Sequence, residues 1–179
     1  LNNKKILVQG IGNVGRNLIK LLETEGAEIY VNDVNKEKIQ EIKKIYEVKE
    51  INNNIYTSEI DIYAPCALGG TLNQTTIPQL KCSIVAGAAN NQLAKEYFDD
   101  ELLIKHNILY APDFLINAGG LINVYSELKG FSQEQVKAKT EKIFDTTIEI
   151  LQKSAKENIS SQKAALKIAK EIVFKKHNV

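Results

Sequence analysis

Short apolar runs rich in β-branched residues alternate with amphipathic stretches over the first two-thirds of the chain. The apolar runs predict six strands, at Lys5–Gln9, Glu28–Asn32, Tyr46–Lys49, Ile60–Ala64, Ser83–Ala86 and Ile108–Ala111. Strands that alternate with helical stretches are typical of βαβ units, which build a mainly parallel sheet with helices on both faces. The pattern therefore predicts an α/β, doubly wound fold.

Two of the amphipathic stretches show clear helical spacing. Val14–Glu25 is followed by Gly26, a C-terminal stop, and its apolar residues recur three or four positions apart. These residues are Val14, Leu18, Leu21 and Leu22. Lys36–Ile45 repeats the scheme and predicts a second helix. The residues expected to face the core from it are Ile39, Ile42 and Ile45.

The last third of the chain has a helical pattern throughout. Ser132 is placed to cap a long helix that runs to about Glu157, and another helix follows Ser160. We expect residues 1–130 to form the sheet domain and residues 131–179 to form helices that pack on it.

Composition excludes several classes of partner. Lysine and arginine number 23 and aspartate and glutamate 22, so a net charge of +1 gives no field that would attract nucleic acid or an anionic membrane. Cys66 and Cys82 form neither a disulfide framework nor a metal-ligand motif, which fits a reducing cytoplasm and predicts no metal site. No apolar run approaches membrane-spanning length. The expected partners are small molecules or other subunits.

A glycine-rich loop stands between the first predicted strand and the first predicted helix. Gly10, Gly12 and Gly15 form the pattern G-x-G-x-x-G, and Asn13 and Val14 open the helix. In this context the first glycine permits a tight turn, the second lets the backbone approach a pyrophosphate, and the third allows close packing of helix on strand. The loop therefore predicts a Rossmann-type dinucleotide site, with the helix N-terminus directed at the phosphates.

An acidic residue supports this interpretation. Asp33 ends the second predicted strand about 20 residues after Gly12, where a carboxylate accepts hydrogen bonds from the adenosine ribose. Its charge would repel a 2′-phosphate, and Val34 and Asn35 supply no arginine to bind one, so NAD is favoured over NADP. The alternative is that Asp33 only caps a turn before the helix at Lys36.

Three later segments follow predicted strands and should reach the same edge of the sheet. Asp61–Gly70 ends in small residues that leave room for a ribose, and Val85–Leu93 carries amides able to bond ribose hydroxyls or a carboxamide. Ala111–Val124 follows the last strand and opens a helix. We expect these segments to face the nicotinamide half of the cofactor.

These segments, together with the glycine loop, resemble the cofactor domain of the glutamate/leucine/phenylalanine/valine dehydrogenases, and within it the leucine dehydrogenases. The resemblance spans roughly Asn2 to Lys129. The matching runs are Val8–Gly15, Val31–Lys38, Asp61–Gly70, Ile77–Lys81, Gly87–Leu93 and Tyr110–Val124.

The resemblance implies an NAD-dependent, reversible oxidative deamination of a branched-chain L-amino acid such as leucine or valine. The cofactor contacts that we infer are Gly10, Gly12, Asn13, Val14, Gly15, Asp33, Val34, Cys66, Ala67, Ala89, Asn91 and Asn117. The implied substrate contacts are Asn91, Leu121 and Val124. Because family members commonly have valine at the position of Leu121, leucine there implies a smaller pocket that favours valine over leucine.

The resemblance also implies that part of the catalytic machinery lies elsewhere. In the family, a lysine of lowered pKa and an aspartate in the preceding domain activate water, and no motif here replaces them. The sequence has no methionine and enters a strand soon after Leu1, so we expect a piece of a longer protein. The resemblance implies that the whole protein is a homo-oligomer. Residues 1–179 alone are then expected to bind NAD without turnover, and the terminal helices to reach toward the absent N-terminal domain.

Two other functions fit part of the pattern. A freestanding NAD-sensing module would use the same glycine loop and Asp33. A hydroxy acid dehydrogenase would need a histidine base on a cleft loop, and the sequence offers none. Cys66 is not expected to be a nucleophile, because no histidine motif accompanies it.

Overall fold

The computed structural model describes residues 1–52 and 54–177, with side chains as far as 174. Its strands are β1 (Lys5–Gln9), β2 (Glu28–Asn32), β3 (Val48–Glu50), β4 (Ile62–Pro65), β5 (Ile84–Val85) and β6 (Leu109–Tyr110). Its helices are α1 (Asn13–Thr24), α2 (Lys36–Lys43), α3 (Glu96–Lys105), α4 (Asp113–Ile116), α5 (Gly119–Lys129), α6 (Gln133–Glu157) and α7 (Ser161–His177). Short 3₁₀ turns occur at Ile55–Thr57 and Ile77–Gln79.

The six strands form one sheet in the order β3-β2-β1-β4-β5-β6, and every adjacent pair is parallel. This order reverses direction between β1 and β4, and ligands of such sheets bind beyond the carboxyl ends of the strands at that point. The predicted doubly wound α/β fold is confirmed. The reversal places the glycine loop, which follows β1, at the centre of that edge.

Apolar clusters cover both faces of the sheet. Ile6 and Val8 of β1 lie in one apolar cluster with residues of α1 and α2. Leu7, between them, lies in a second cluster with Tyr63 and Val85. Successive strand residues point to opposite faces, so a strand covered on both sides must be apolar throughout.

In both predicted helices the buried face differs from the apolar spacing of the sequence, and the predicted inward position of Ile45 is wrong. The face of α1 that is buried consists of Gly15, Ile19 and Leu22, whereas Val14 and Leu21 are exposed. These three residues follow the spacing i, i+4, i+7, which keeps them on one side of a helix. In the second helix only the first two isoleucines are buried; Ile45 lies beyond the end of α2 and is exposed.

Helix α3 has no counterpart in the predicted elements. Its apolar residues do not form one stripe, since Leu103 is buried while Tyr97 and Phe98 are exposed. Asp99 is buried instead, and its carboxylate accepts a hydrogen bond from the backbone N–H of Lys95 at 2.5 Å. A helix whose buried face contains a carboxylate lacks the apolar period on which helix prediction depends.

The chain divides into two compact units, Leu1–Asp113 and Phe114–Val179. In the second unit, Ile150 of α6 packs with Ala164, Ala165 and Ile168 of α7. The predicted cap is confirmed: the Ser132 hydroxyl accepts from the N–H of Gln135, whose side chain bonds back to Ser132. The predicted division into a sheet domain, residues 1–130, and helices that pack on it, residues 131–179, stays a prediction. Over the described residues, no helix is both long and apolar enough to cross a membrane.

Candidate active site at the carboxyl edge of the sheet

The glycine loop joins β1 to α1, and two of its glycines are required by close contacts. Gly10 has φ +99°, and a Cβ there would lie 2.8 Å from the Cβ of Ala67. A Cβ on Gly15 would lie 2.0 Å from the carbonyl oxygen of Gly10. Both positions therefore exclude a side chain, the first also through its backbone conformation.

Gly12 differs from these two glycines because it faces open space. No heavy atom lies within 4 Å of the position its Cβ would take, and its φ of −80° would suit any residue. Among the residues described, no side chain caps α1 at this end. The first N–H groups of a helix have no partners within the helix, and they attract anions. The space above Gly12 therefore suits a phosphate group.

Asp33 lies directly after β2 and is bonded to the glycine loop. Its Oδ2 accepts from the N–H of Ile11 at 2.6 Å, and its Oδ1 accepts from the N–H of Asn35 at 2.8 Å. Partial burial opposes ionisation, but these two hydrogen bonds and the nearby charge of Lys38 outweigh it and lower the pKa of Asp33. The side chain that caps α2 is that of Asn35, whose oxygen accepts from the N–H of Glu37.

Two of the positive side chains near this end of the sheet are paired with carboxylates. Arg16, the single arginine of the sequence, bonds to Glu41. Lys36 lies 2.9 Å from Glu50. Val34 is fully exposed beside Asp33 and adds no charge. A ribose here would find the Asp33 carboxylate as a hydrogen-bond acceptor. A 2′-phosphate would find no unpaired guanidinium, because the single arginine is bonded to Glu41.

The loop after β4 packs against the glycine loop. The N–H of Cys66 donates to the carbonyl of Gln9 at 2.7 Å, and Ala67 fills the space beside Gly10. Burial raises the pKa of the Cys66 thiol. A raised pKa leaves the thiol protonated, so this cysteine is a poor nucleophile. Its contact with the cofactor stays a prediction.

The loop after β5 packs in turn on the loop after β4. A Cβ on Gly87 would lie 2.2 Å from the carbonyl oxygen of Pro65, and the N–H of Ala89 donates to that oxygen at 2.9 Å. Asn91 is exposed and has φ +52°, and its carbonyl accepts from the N–H of Gly70 at 2.8 Å. Ala89 is buried, and its N–H and carbonyl are hydrogen-bonded to Pro65 and Gln92, so its contact with the cofactor stays a prediction.

The sequence predicted that the side-chain amides of this loop would be available to a ligand, but the amide of Gln92 points into the protein. Gln92 is fully buried, and its amide nitrogen donates to the carbonyls of Gly87 and Ala89 at 2.6 and 3.0 Å. Its backbone N–H donates to Oδ2 of Asp113 at 2.8 Å. The roles of Gln92 and Asp113 were not predicted, because nothing in the sequence distinguishes an inward amide from an outward one.

Three predicted contacts lie in the second unit. Asn117 precedes α5, and Leu121 and Val124 lie on α5 with exposed side chains. Their contacts with cofactor or substrate stay predictions. Among the described residues, no group of three or more histidine, cysteine and acidic side chains is arranged to hold a metal ion.

Comparison with known proteins adds several relatives. An L-tryptophan dehydrogenase from Nostoc punctiforme is 42% identical over 172 residues, covering 96% of this chain and 49% of that protein. Its crystal structure superposes with a TM-score of 0.93 and covers 96% of this chain and 52% of that one. A leucine dehydrogenase from Bacillus cereus is 45% identical over 96% of this chain and 47% of its own length.

A valine dehydrogenase from Streptomyces coelicolor is 41% identical over 96% of this chain and 48% of its own length. The chain thus spans about half the length of the curated relatives it matches. The family model described as "Glutamate/Leucine/Phenylalanine/Valine dehydrogenase" matches residues 29–179. By its match to this family and by these identities, the chain belongs to the glutamate/leucine/phenylalanine/valine dehydrogenases, a family of amino acid oxidoreductases.

Proposed function

We propose that residues 1–179 are the NAD-binding part of an amino acid dehydrogenase. The observation that carries the proposal is the open space at Gly12 beside a carboxylate, Asp33, that is hydrogen-bonded to the same loop. Gly12 and the N-terminus of α1 would hold the pyrophosphate, and Asp33 would accept hydrogen bonds from the adenosine ribose. The loops carrying Ala67 and Asn91 would enclose the nicotinamide half.

NAD, when bound, supplies the hydride acceptor for oxidation of the amino acid. The residues of this chain would hold and orient the cofactor, and the small side chains at Cys66 and Ala67 would leave room for its second ribose. Because the loops are tied together by backbone hydrogen bonds before any ligand arrives, little ordering remains to be done on binding.

The substrate is proposed to be a branched-chain L-amino acid such as leucine or valine, oxidised reversibly to the 2-oxo acid and ammonia. Relatives named leucine and valine dehydrogenases support the class of substrate. Leu121 and Val124 would contact its side chain. A lysine and an aspartate outside residues 1–179 would activate water, so that these residues alone bind NAD but do not turn over. The whole protein is proposed to be a homo-oligomer.

Titration calorimetry with NAD and with NADP tests the proposal. We expect NAD to bind more tightly than NADP, and the Asp33→Ala variant to lose at least about tenfold in NAD affinity, since a charge-assisted hydrogen bond contributes about 1.5–3 kcal/mol. Asp145→Ala, an exposed aspartate on α6, is the matched control and should bind as the unaltered chain does.

Two results would contradict the proposal: no binding of NAD, or equal binding of both cofactors. An assay of leucine oxidation by residues 1–179 separates the remaining alternatives. Turnover would place the water-activating groups within these residues, whereas NAD binding by a full-length protein that oxidises no amino acid would identify an NAD-sensing module.

A further inference from the structure

The fully buried side chain of Gln92 forms hydrogen bonds across the loop that follows β5. Its amide nitrogen donates to the carbonyls of Gly87 and Ala89, at 2.6 and 3.0 Å. Both partners are acceptors, so the nitrogen end of the amide must face them and the orientation of the side chain is fixed. The segment from Gly87 to Gln92 is therefore held in a closed turn by one residue.

The backbone of Gln92 is held as firmly as its side chain. Its N–H donates to Oδ2 of Asp113 at 2.8 Å, and its carbonyl accepts from the N–H of Leu72 at 3.0 Å. These bonds tie the loop after β5 to the residues that follow β4 and β6. The end of the loop is thus fixed to its neighbours on both sides.

Asn91, immediately before Gln92, has a left-handed backbone conformation. Its φ of +52° is in a region that asparagine adopts more readily than most residues, though at a higher cost than glycine. Such a conformation persists when the structure around it leaves no alternative. The bond from Gly70 to the Asn91 carbonyl holds one side, and the anchored Gln92 holds the other. The outcome is a side chain that stays exposed at the edge of the sheet.

Packing alone does not account for a glutamine at this position. Within the part of the chain that the structure describes, the amide oxygen of Gln92 has no hydrogen-bond partner although it is buried. An unpaired buried acceptor destabilises a fold, whereas methionine would fill a similar volume without one. The contribution of this side chain therefore lies in its two donated hydrogen bonds.

We propose that Gln92 is a positioning residue, which holds the segment from Gly87 to Asn91 in the conformation that presents Asn91 to the nicotinamide half of NAD. This inference rests on the proposed function, because it takes NAD as the ligand of this edge. Gln92 itself is fully buried, so its proposed effect on NAD is indirect and acts through Asn91.

Binding of NAD compared with binding of ADP tests the role. ADP contains the adenosine and pyrophosphate that Asp33 and Gly12 are proposed to hold, but it lacks the nicotinamide half. In the full-length protein, Gln92→Met and Gln92→Glu should weaken NAD about tenfold, while ADP affinity stays within about twofold. Gln40→Met, at an exposed glutamine of α2, is the matched control.

Each outcome has a distinct meaning. Equal loss of NAD and ADP affinity together with a lower Tm would show that Gln92 only stabilises the fold, and unchanged NAD affinity in both variants would also overturn the positioning role. If the unaltered protein bound neither ligand, the proposed function itself would be wrong. Loss of NAD affinity with ADP affinity preserved is the expected result, although the loss of two buried hydrogen bonds lowers the Tm.

Discussion

Replacing glycine by alanine is expected to affect the stability of the fold differently at Gly12 and at Gly15. At Gly12 the added methyl group meets nothing within 4 Å, and φ of −80° with ψ of −168° is an extended conformation open to alanine. Replacing glycine at a compatible position restricts the unfolded chain and stabilises a protein by about 0.4–1 kcal/mol. Gly12→Ala should therefore fold as well as the unaltered chain, with a Tm that is equal or slightly higher.

The same methyl group would occupy the space proposed for the pyrophosphate. Because that group must approach the backbone closely to reach the N–H groups of α1, we expect Gly12→Ala to weaken NAD about tenfold or more. ADP carries the same pyrophosphate and should weaken in parallel. Loss at Gly12 thus differs from the loss expected at Gln92, which spares ADP.

Gly15→Ala is the matched variant that disturbs the fold. A Cβ there would lie 2.0 Å from the carbonyl oxygen of Gly10, so helix α1 or the loop must move by more than about 1 Å to restore ordinary contact distances. Inserting a methyl group into such a site costs about 1–3 kcal/mol, which corresponds to a fall in Tm of roughly 2–12 °C for a chain of this size.

Thermal unfolding and calorimetric titration of both variants decide the matter. The expected pair of results is a stable Gly12→Ala that binds NAD and ADP weakly, and a Gly15→Ala with a lowered Tm. A Gly12→Ala protein that binds NAD as tightly as the unaltered chain would refute the placement of the pyrophosphate. The whole assignment of the glycine loop would then lose its main support.

Two further predictions concern charge and substrate. The folded-state pKa of Asp33 lies below its unfolded value of about 4, so its carboxylate contributes stability that is complete above that pH and is lost as pH falls through the folded-state pKa. The difference in Tm between the unaltered chain and Asp33→Ala should therefore be constant between about pH 5 and pH 8 and should become smaller below about pH 4. A difference that stays constant down to about pH 3 would contradict a lowered pKa of Asp33 in the folded state. Leu121→Val in the full-length protein removes one methylene and should shift kcat/KM toward leucine and away from valine by about tenfold, and an unchanged preference would exclude Leu121 from the pocket.

The parts of the fold that the sequence predicted correctly have a local cause. Strands β1 and β2 have the predicted bounds because each is an apolar run bordered by polar or glycine residues. By contrast β5 is only Ile84–Val85 and β6 only Leu109–Tyr110, shorter than predicted. At these ends the chain leaves the sheet to form the loops of the candidate site, although its composition still favours a strand.

The features that sequence reasoning missed depend on contacts between distant residues. The bond from Gln92 to Asp113 joins positions 21 residues apart, and neither residue type signals burial, since both usually lie at surfaces. Helix α3 was missed for a related reason, because Asp99 and Asp100 are buried on it. A periodic pattern reveals an apolar face, whereas a buried polar face is visible only once its partners are known.

The position of Asp33 shows why the glycine loop and the acid act as one unit. One carboxylate oxygen accepts the N–H of Ile11, inside the glycine loop, and the other accepts the N–H of Asn35. An asparagine would place a donor at one of these positions, opposite another donor, so the chemically nearest replacement does not preserve both bonds. The same ionised group that is proposed to select the ribose therefore also holds the loop that is proposed to receive the pyrophosphate. The loop geometry and the proposed choice of cofactor thus depend on the same negative charge.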